Sequence, residues 1–214
     1  MCIRFNHAFS ECLFQRSIGL FNRLGYIWIM KTEKEKMLAG EIYFANDDVL
    51  VTERTKAKKL LHKLNVTEYL MNEKAKTILS QLLPNAGKGL YIEPPFHCDY
   101  GYNIHCGENV YFNVNCVVLD TMKIEIGNNV FFGPGVHIYT ATHPLNPIQR
   151  RTVEFSKPIF IGDDCWIGGN AVICPGVTIG SGCTIGAGAV VTKDIPEHSL
   201  AVGNPAKVIR KINP

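Results

Sequence analysis

The chain has 214 residues, enough for one large domain or a domain with a substantial appendage. Apolar residues make up 46% and charged residues 19%, an ordinary balance for a soluble globular protein. The formal net charge of +3 argues against a general nucleic-acid binder, while leaving room for a local basic patch that holds an anionic cofactor.

The first thirty residues mix Arg4, Arg16 and Arg23 with Phe5, Phe9, Phe14, Leu20, Phe21 and Trp28. Their longest charge-free run, Leu24 to Met30, falls far short of the roughly 20 residues a membrane span needs. No small-residue cleavage site follows a clean apolar stretch, so no secretory signal is expected and the protein reads as cytoplasmic. Residues 1–29 are read as an extension outside the fold, which is expected to begin at Met30; a peripheral amphipathic anchor is the alternative.

A helical region is expected over residues 30–87. Thr32-x-x-Glu35 has the spacing of a capping box. From about Asp48 to Leu64, Leu50, Ala57, Leu60, Leu61 and Leu64 form one stripe, with Arg54, Lys56, Lys58, Lys59 and Lys63 mostly elsewhere. A third segment, Glu68 to Leu83, places Leu70, Ile78, Leu79 and Leu82 on one face, and Pro84 and Gly87 end it.

After Pro94-Pro95 the pattern changes to a period of six. Ile161, Ile167, Ile173, Ile179, Ile185 and Val191 share one phase, and Cys165, Ala171, Val177, Cys183 and Ala189 follow the first five at four residues' distance. Ile126, Phe132 and Ile138 repeat this in a second frame, with Val130 and Val136 at the small position. A poorer third frame runs through Cys106, Phe112 and Val118, with two residues inserted before Ile126. Such a period predicts a β-solenoid over residues 88–214, in which three short strands close a triangular coil and stacked coils bury a continuous aliphatic column. The eight cysteines contain no C-x-x-C pair, and several occupy small positions of the repeat, so they read as free thiols acting as small hydrophobes rather than as metal ligands or disulfides.

The segment from Thr140 to Lys157 breaks the repeat; with its neighbour Pro158 it forms loop 140–158. A long loop inside a regular solenoid is commonly functional, and His143 within it is a candidate base, since an imidazole accepts a proton near neutral pH when its other nitrogen is anchored. His137, next to the small position Val136, is expected on the outer surface of the coil. His62, His97, His105 and His198 carry no spacing signal. No convincing third histidine joins His137 and His143, so no metal site is expected.

The run Ile161-Gly162-Asp163-Asp164-Cys165-Trp166-Ile167-Gly168 and the ending Gly203-Asn204-Pro205-Ala206-Lys207 resemble the hexapeptide-repeat acyltransferases. Residues Glu33 to Glu41, Cys98 to Ile104 and Pro134 to Pro144 narrow the resemblance to the maltose and galactoside O-acetyltransferase branch. It covers about Met30 to the C-terminus. It implies a mainly β fold, a left-handed parallel β-helix with an N-terminal helical subdomain. It further implies acetyl-CoA as co-substrate, a small sugar as acceptor, and a homotrimer with sites between subunits, with no nucleic-acid or membrane partner.

Residue by residue, the resemblance makes His143 the catalytic base. It places Asn113 near the reacting groups and Gly169, Ala187, Thr192 and Lys193 along the cofactor arm. Lys207 and Arg210 are placed near the adenosine phosphate, where cationic donors suit an anion. Asp47, Arg54, Asp99, Tyr111 and Asp120 are expected on the acceptor side, where carboxylates accept from sugar hydroxyls. Ala45 and Thr121 stand where the galactoside branch carries Asp, which favours a glucosyl acceptor such as maltose or glucose, esterified at C6. The competing readings are a different acceptor (a galactoside, a nodulation-type oligosaccharide, a xenobiotic or an amino acid), a γ-carbonic-anhydrase-like zinc enzyme, and a non-catalytic solenoid.

Overall fold

The computed structural model describes residues 30–66 and 73–213, so the readings made for residues 1–29 and for Leu70 lie outside the described residues. The chain divides into two units, Met1–Thr32 and Glu33–Pro214, and the second carries the whole solenoid.

Among the described residues three helices precede the coils: α1 (Glu33–Leu38), α2 (Asp48–Asn65) and α3 (Glu73–Leu82). Helix α2 starts where the pattern places it because Asp47 caps it, its side chain accepting from the Val49 N–H at 3.0 Å. Its predicted stripe is the face that packs: Leu50, Ala57, Leu61 and Leu64 are buried, and Leu60 is partly so. Ile78, Leu79 and Leu82 of α3 join Leu61 and Leu64 in the same core as the first coils.

From Tyr91 onward the strands stack in three parallel columns. The first face holds Tyr91–Ile92, Tyr111–Phe112, Phe131–Phe132, Trp166–Ile167, Thr184–Ile185 and Ser199–Val202. The second holds Phe96–Cys98, Cys116–Leu119, His137–Tyr139, Val172–Ile173 and Val190–Val191; the third holds Ile104–Cys106, Ile124–Ile126, Ile159–Ile161 and Thr178–Ile179. The order amounts to five coils and the start of a sixth, closed by Lys207–Lys211, which runs antiparallel against Ser199–Val202.

The six-residue pattern is the inside of this prism. Ile161, Ile167, Ile173, Ile179, Ile185 and Val191 are at most 3% exposed, and so are Cys165, Ala171, Val177, Cys183 and Ala189. In the earlier coils Phe112 and Phe132 replace the aliphatics and stack face to face at 4.4 Å between centroids. Coils come close enough at the corners that side chains there would collide. A Cβ on Gly168 would lie 2.6 Å from the Ala187 backbone nitrogen, which only a backbone shift could relieve.

The two-residue insertion after Val118 has a structural use. It lengthens the strand to Leu119 and folds Asp120 and Thr121 inward at the corner between the second and third faces, both buried. The segment 140–158 leaves the prism at the same corner, one coil on. It is more regular than its sequence suggests: Ala141–Thr142 pairs antiparallel with Phe155–Ser156, and a short 3₁₀ turn spans Gln149–Arg151. The hairpin continues into the helical region, because Tyr43 and Glu154 exchange both backbone hydrogen bonds, at 3.0 and 3.2 Å. Among the described residues no helix is long and apolar enough to cross a membrane.

Candidate active site

Buried hydroxyls fix the base of the 140–158 segment. Thr121 Oγ1 lies 3.0 Å from Thr140 Oγ1 and 2.7 Å from Ser156 Oγ, while Thr140 Oγ1 donates to the Leu119 carbonyl at 2.7 Å. Thr121 is therefore occupied inside the fold.

His143 follows the strand Ala141–Thr142 and is exposed over 56% of its side chain. Its Nδ1 lies 3.4 Å from the Val153 carbonyl, which can only accept, so Nδ1 carries the proton and Nε2 of the neutral ring keeps its lone pair. That Nε2 faces Glu154 Oε2 at 3.7 Å, too far for a hydrogen bond but close enough to pair with an imidazolium. The other oxygen of Glu154 accepts from the Tyr43 hydroxyl. Burial, reinforced by Glu154, holds the Tyr43 phenol well above its ordinary range, so Tyr43 stays a donor.

The groups beside this pair come from α2 and from the turn after Cys98. Arg54 donates to the Tyr100 hydroxyl and to the Ala45 carbonyl, both at 2.7 Å. Asp99, half-buried, has its carboxyl pushed up by burial, with Glu154 adding to the push and the positive charge of Arg54 opposing it. Asp47 sits at the start of α2, with one oxygen engaged by its cap.

Asp120 corrects the sequence reading. Expected to face the sugar, it is fully buried and accepts from the backbone N–H groups of Asp99, Tyr100, Gly101 and Asn103, at 2.7 to 3.3 Å. Its carbonyl also accepts from the Asn103 side chain at 2.8 Å. The carboxylate holds the turn that presents Asp99 and Tyr100, and no part of it is left for a ligand. His137 lies on the second face as expected, bonded to the Tyr139 hydroxyl.

The remaining predicted residues lie elsewhere on the prism. Asn113, Gly169 and Ala187 all lie at the corner between the first and second faces, on three different coils; Asn113 uses its side-chain oxygen to accept from the Val114 N–H. Tyr111 points out of the first face, stacked on Tyr91 at 5.6 Å, in an outward row continued by exposed Phe131 and Trp166. Lys207 and Arg210 are exposed on the last strand of that face. Thr192 and Lys193 are exposed just past Val191, at the corner from which the His143 segment leaves two coils earlier.

One chain thus brings together Arg54, Asp99 and His143, and separately Tyr111, Asn113, Gly169 and Ala187, with the second face between the groups. The sequence reading missed Glu154, Tyr43 and Tyr100. Among the described residues no group of three or more His, Cys, Asp or Glu side chains could hold a metal ion. A cavity of ≈ 600 Å³ lies on the third face beside His105, Glu125 and Phe160, and none of the predicted site residues lines it.

A coiled prism with a hairpin leaving one corner and a glycine-rich corner beside it is the build of the hexapeptide-repeat transferases. Residues 158–193 match the family described as bacterial transferase hexapeptide (six repeats), and residues 36–87 match the maltose acetyltransferase hexapeptide capping motif. Nodulation protein L of Rhizobium meliloti is 48% identical over 179 residues, 83% of this chain and 98% of that protein.

Among solved structures, a maltose O-acetyltransferase from Clostridium difficile 630 is 52% identical with a TM-score of 0.84, covering 86% of this chain and 99% of that one. A galactoside acetyltransferase in complex with coenzyme A is 37% identical with a TM-score of 0.82, covering 86% and 92%. The chain belongs to the hexapeptide-repeat acetyltransferases, in the branch of the maltose and galactoside enzymes, and its coil is the left-handed parallel β-helix of that family. It is an acetyltransferase with acetyl-CoA as co-substrate.

Proposed function

We propose that this acetyltransferase esterifies a primary hydroxyl, C6 of a glucosyl unit in a small sugar such as maltose or glucose, with His143 as general base. The observation that carries this reading is the anchoring of His143. The Val153 carbonyl fixes its tautomer, and the free Nε2 faces Glu154, whose charge acts on Asp99 as that of Arg54 does, polar groups of the kind that hold a polyol.

In the proposed reaction Nε2 takes the proton of the sugar hydroxyl as its oxygen attacks the thioester carbonyl carbon. The negative charge gathers on the carbonyl oxygen, where the Gly169 N–H is the proposed donor. The tetrahedral intermediate then collapses, the C–S bond breaks, and the imidazolium returns its proton to the departing CoA sulfur. Direct transfer fits the cysteines: burial pushes Cys98, Cys106 and Cys116 above the ordinary thiol range, and none of the three has a base partner that would make it an acyl carrier.

The separation of the predicted residues into two groups supports a homotrimer in which His143 of one copy meets the Asn113, Gly169 and Ala187 corner of its neighbour. Lys207 and Arg210 would then meet the cofactor's phosphates. Absence of a carboxylate at Ala45 and Thr121 favours the glucosyl acceptor over a galactoside.

The test is release of free thiol from acetyl-CoA against maltose, glucose, a galactoside and chloramphenicol, with the product examined by NMR. Turnover is expected with the glucosyl sugars, and the ester at C6. Turnover confined to the galactoside or to chloramphenicol would contradict the assignment.

A further inference from the structure

Two acceptors face each other beside the reacting position. With Nδ1 of His143 donating to the Val153 carbonyl, the Nε2 lone pair and the Glu154 Oε2 are opposed across 3.7 Å, and neither can donate to the other in the neutral ring. Glu154 does not turn away to relieve this. Its backbone is paired on both sides with Tyr43, its second oxygen is held by the Tyr43 hydroxyl, and the side chain is only 18% exposed. Among the described residues Asp99 and Tyr100 also feel the charge of this carboxylate, and Arg54, whose charge acts on Asp99, donates to Tyr100 and Ala45. Among the described residues the free oxygen of Glu154 thus has no cationic partner while His143 is neutral, and it lies 3.7 Å from the nitrogen that takes the proton of the attacking hydroxyl.

A ligand that satisfies both acceptors presents two donors on neighbouring carbons or one carbon further apart. We infer that Glu154 is a specificity-determining residue that accepts a hydrogen bond from the hydroxyl next to the one acetylated, so that the acceptor must be a polyol rather than a simple alcohol or amine. For attack from C6 of a glucosyl unit, the hydroxyl in question is the one on C4. While it donates to Glu154, the C6 hydroxyl is turned to Nε2 of His143, and the two contacts fix the orientation from which the proton leaves. The inference rests on His143 as base and deepens the proposed function by naming the part of the acceptor that is read.

The experiment compares glucose with 4-deoxyglucose as acceptors for the full-length wild-type enzyme and for Glu154→Gln and His143→Ala. The amide introduced by Glu154→Gln keeps an oxygen for the Tyr43 hydroxyl while lacking the charge, and thermal unfolding checks that the fold survives. Loss of a hydrogen bond to a charged group lowers kcat/KM by on the order of tenfold to a hundredfold.

Wild type should therefore prefer glucose over the deoxy sugar by about that factor, and Glu154→Gln should lose most of the preference by slowing on glucose far more than on 4-deoxyglucose. An equal loss on both sugars would overturn the inference, showing that Glu154 acts on His143 alone. Near-normal turnover by His143→Ala would instead overturn the reading of the base. A wild-type enzyme that turned over neither sugar would overturn both.

Discussion

Single side chains at this site divide into those that hold and those that reach. Asp120 holds: four backbone N–H groups converge on it, and with no exposure it positions the turn carrying Asp99 and Tyr100. Asp99 reaches, and its placement lowers stability. Because burial raises its carboxyl above the ordinary range, the folded state favours the protonated form. That contribution is fully present below the carboxylate range of the unfolded chain and is lost as pH rises through the folded value. Asp99→Asn should therefore melt a few degrees higher than wild type at pH 8, with no such advantage near pH 3, while its turnover on the sugar falls. Thermal melts at the two pH values, alongside the thiol-release assay, check both halves. An unchanged melt at pH 8 would mean that the burial carries no penalty.

At this scale the sequence was only partly legible. His143 stood out because it interrupts a regular repeat. Glu154 did not, because its importance comes from pairing with Tyr43, 111 residues away, and no local pattern announces so distant a contact. Asp120 was visible as an acidic residue beside an insertion, but only the folded turn shows that backbone groups saturate it.

Elements were easier to read, for a physical reason. A solenoid writes its core into the sequence as a period, since each coil buries the same positions against the next. The phase of Ile161, Ile167 and Ile173 and the stripe of α2 both correspond to buried faces. Where the period fails, the reading weakened: the 140–158 segment looked irregular, yet it forms a hairpin secured by Thr121, Thr140 and Ser156.

The column makes its own prediction. Ile173 is fully buried between Ile138 and Val191 in adjacent coils, so Ile173→Ala should cost roughly 2–5 kcal/mol, with a fall in Tm of about 2–4 °C per kcal/mol in a chain of this length. Differential scanning calorimetry measures it. A loss below about 1 kcal/mol would mean that the coils do not stack as tightly as this interior implies.

The whole molecule explains why the two groups of site residues face different ways. A three-sided prism cannot bring one corner round to another, and His143 leaves one corner while Asn113, Gly169 and Ala187 lie at the next, which is why the proposed site needs a second copy. Membership of the family follows from the coil, the capping helices and the relatives; the base and the acceptor are proposals that this geometry supports.

The most direct test of the account is His143→Ala, assayed for thiol release with a glucosyl sugar and for acetyl-CoA binding by calorimetry. We expect kcat to fall by about two to four orders of magnitude, the usual contribution of a general base, with acetyl-CoA affinity close to that of wild type. Turnover within a few-fold of wild type would contradict it.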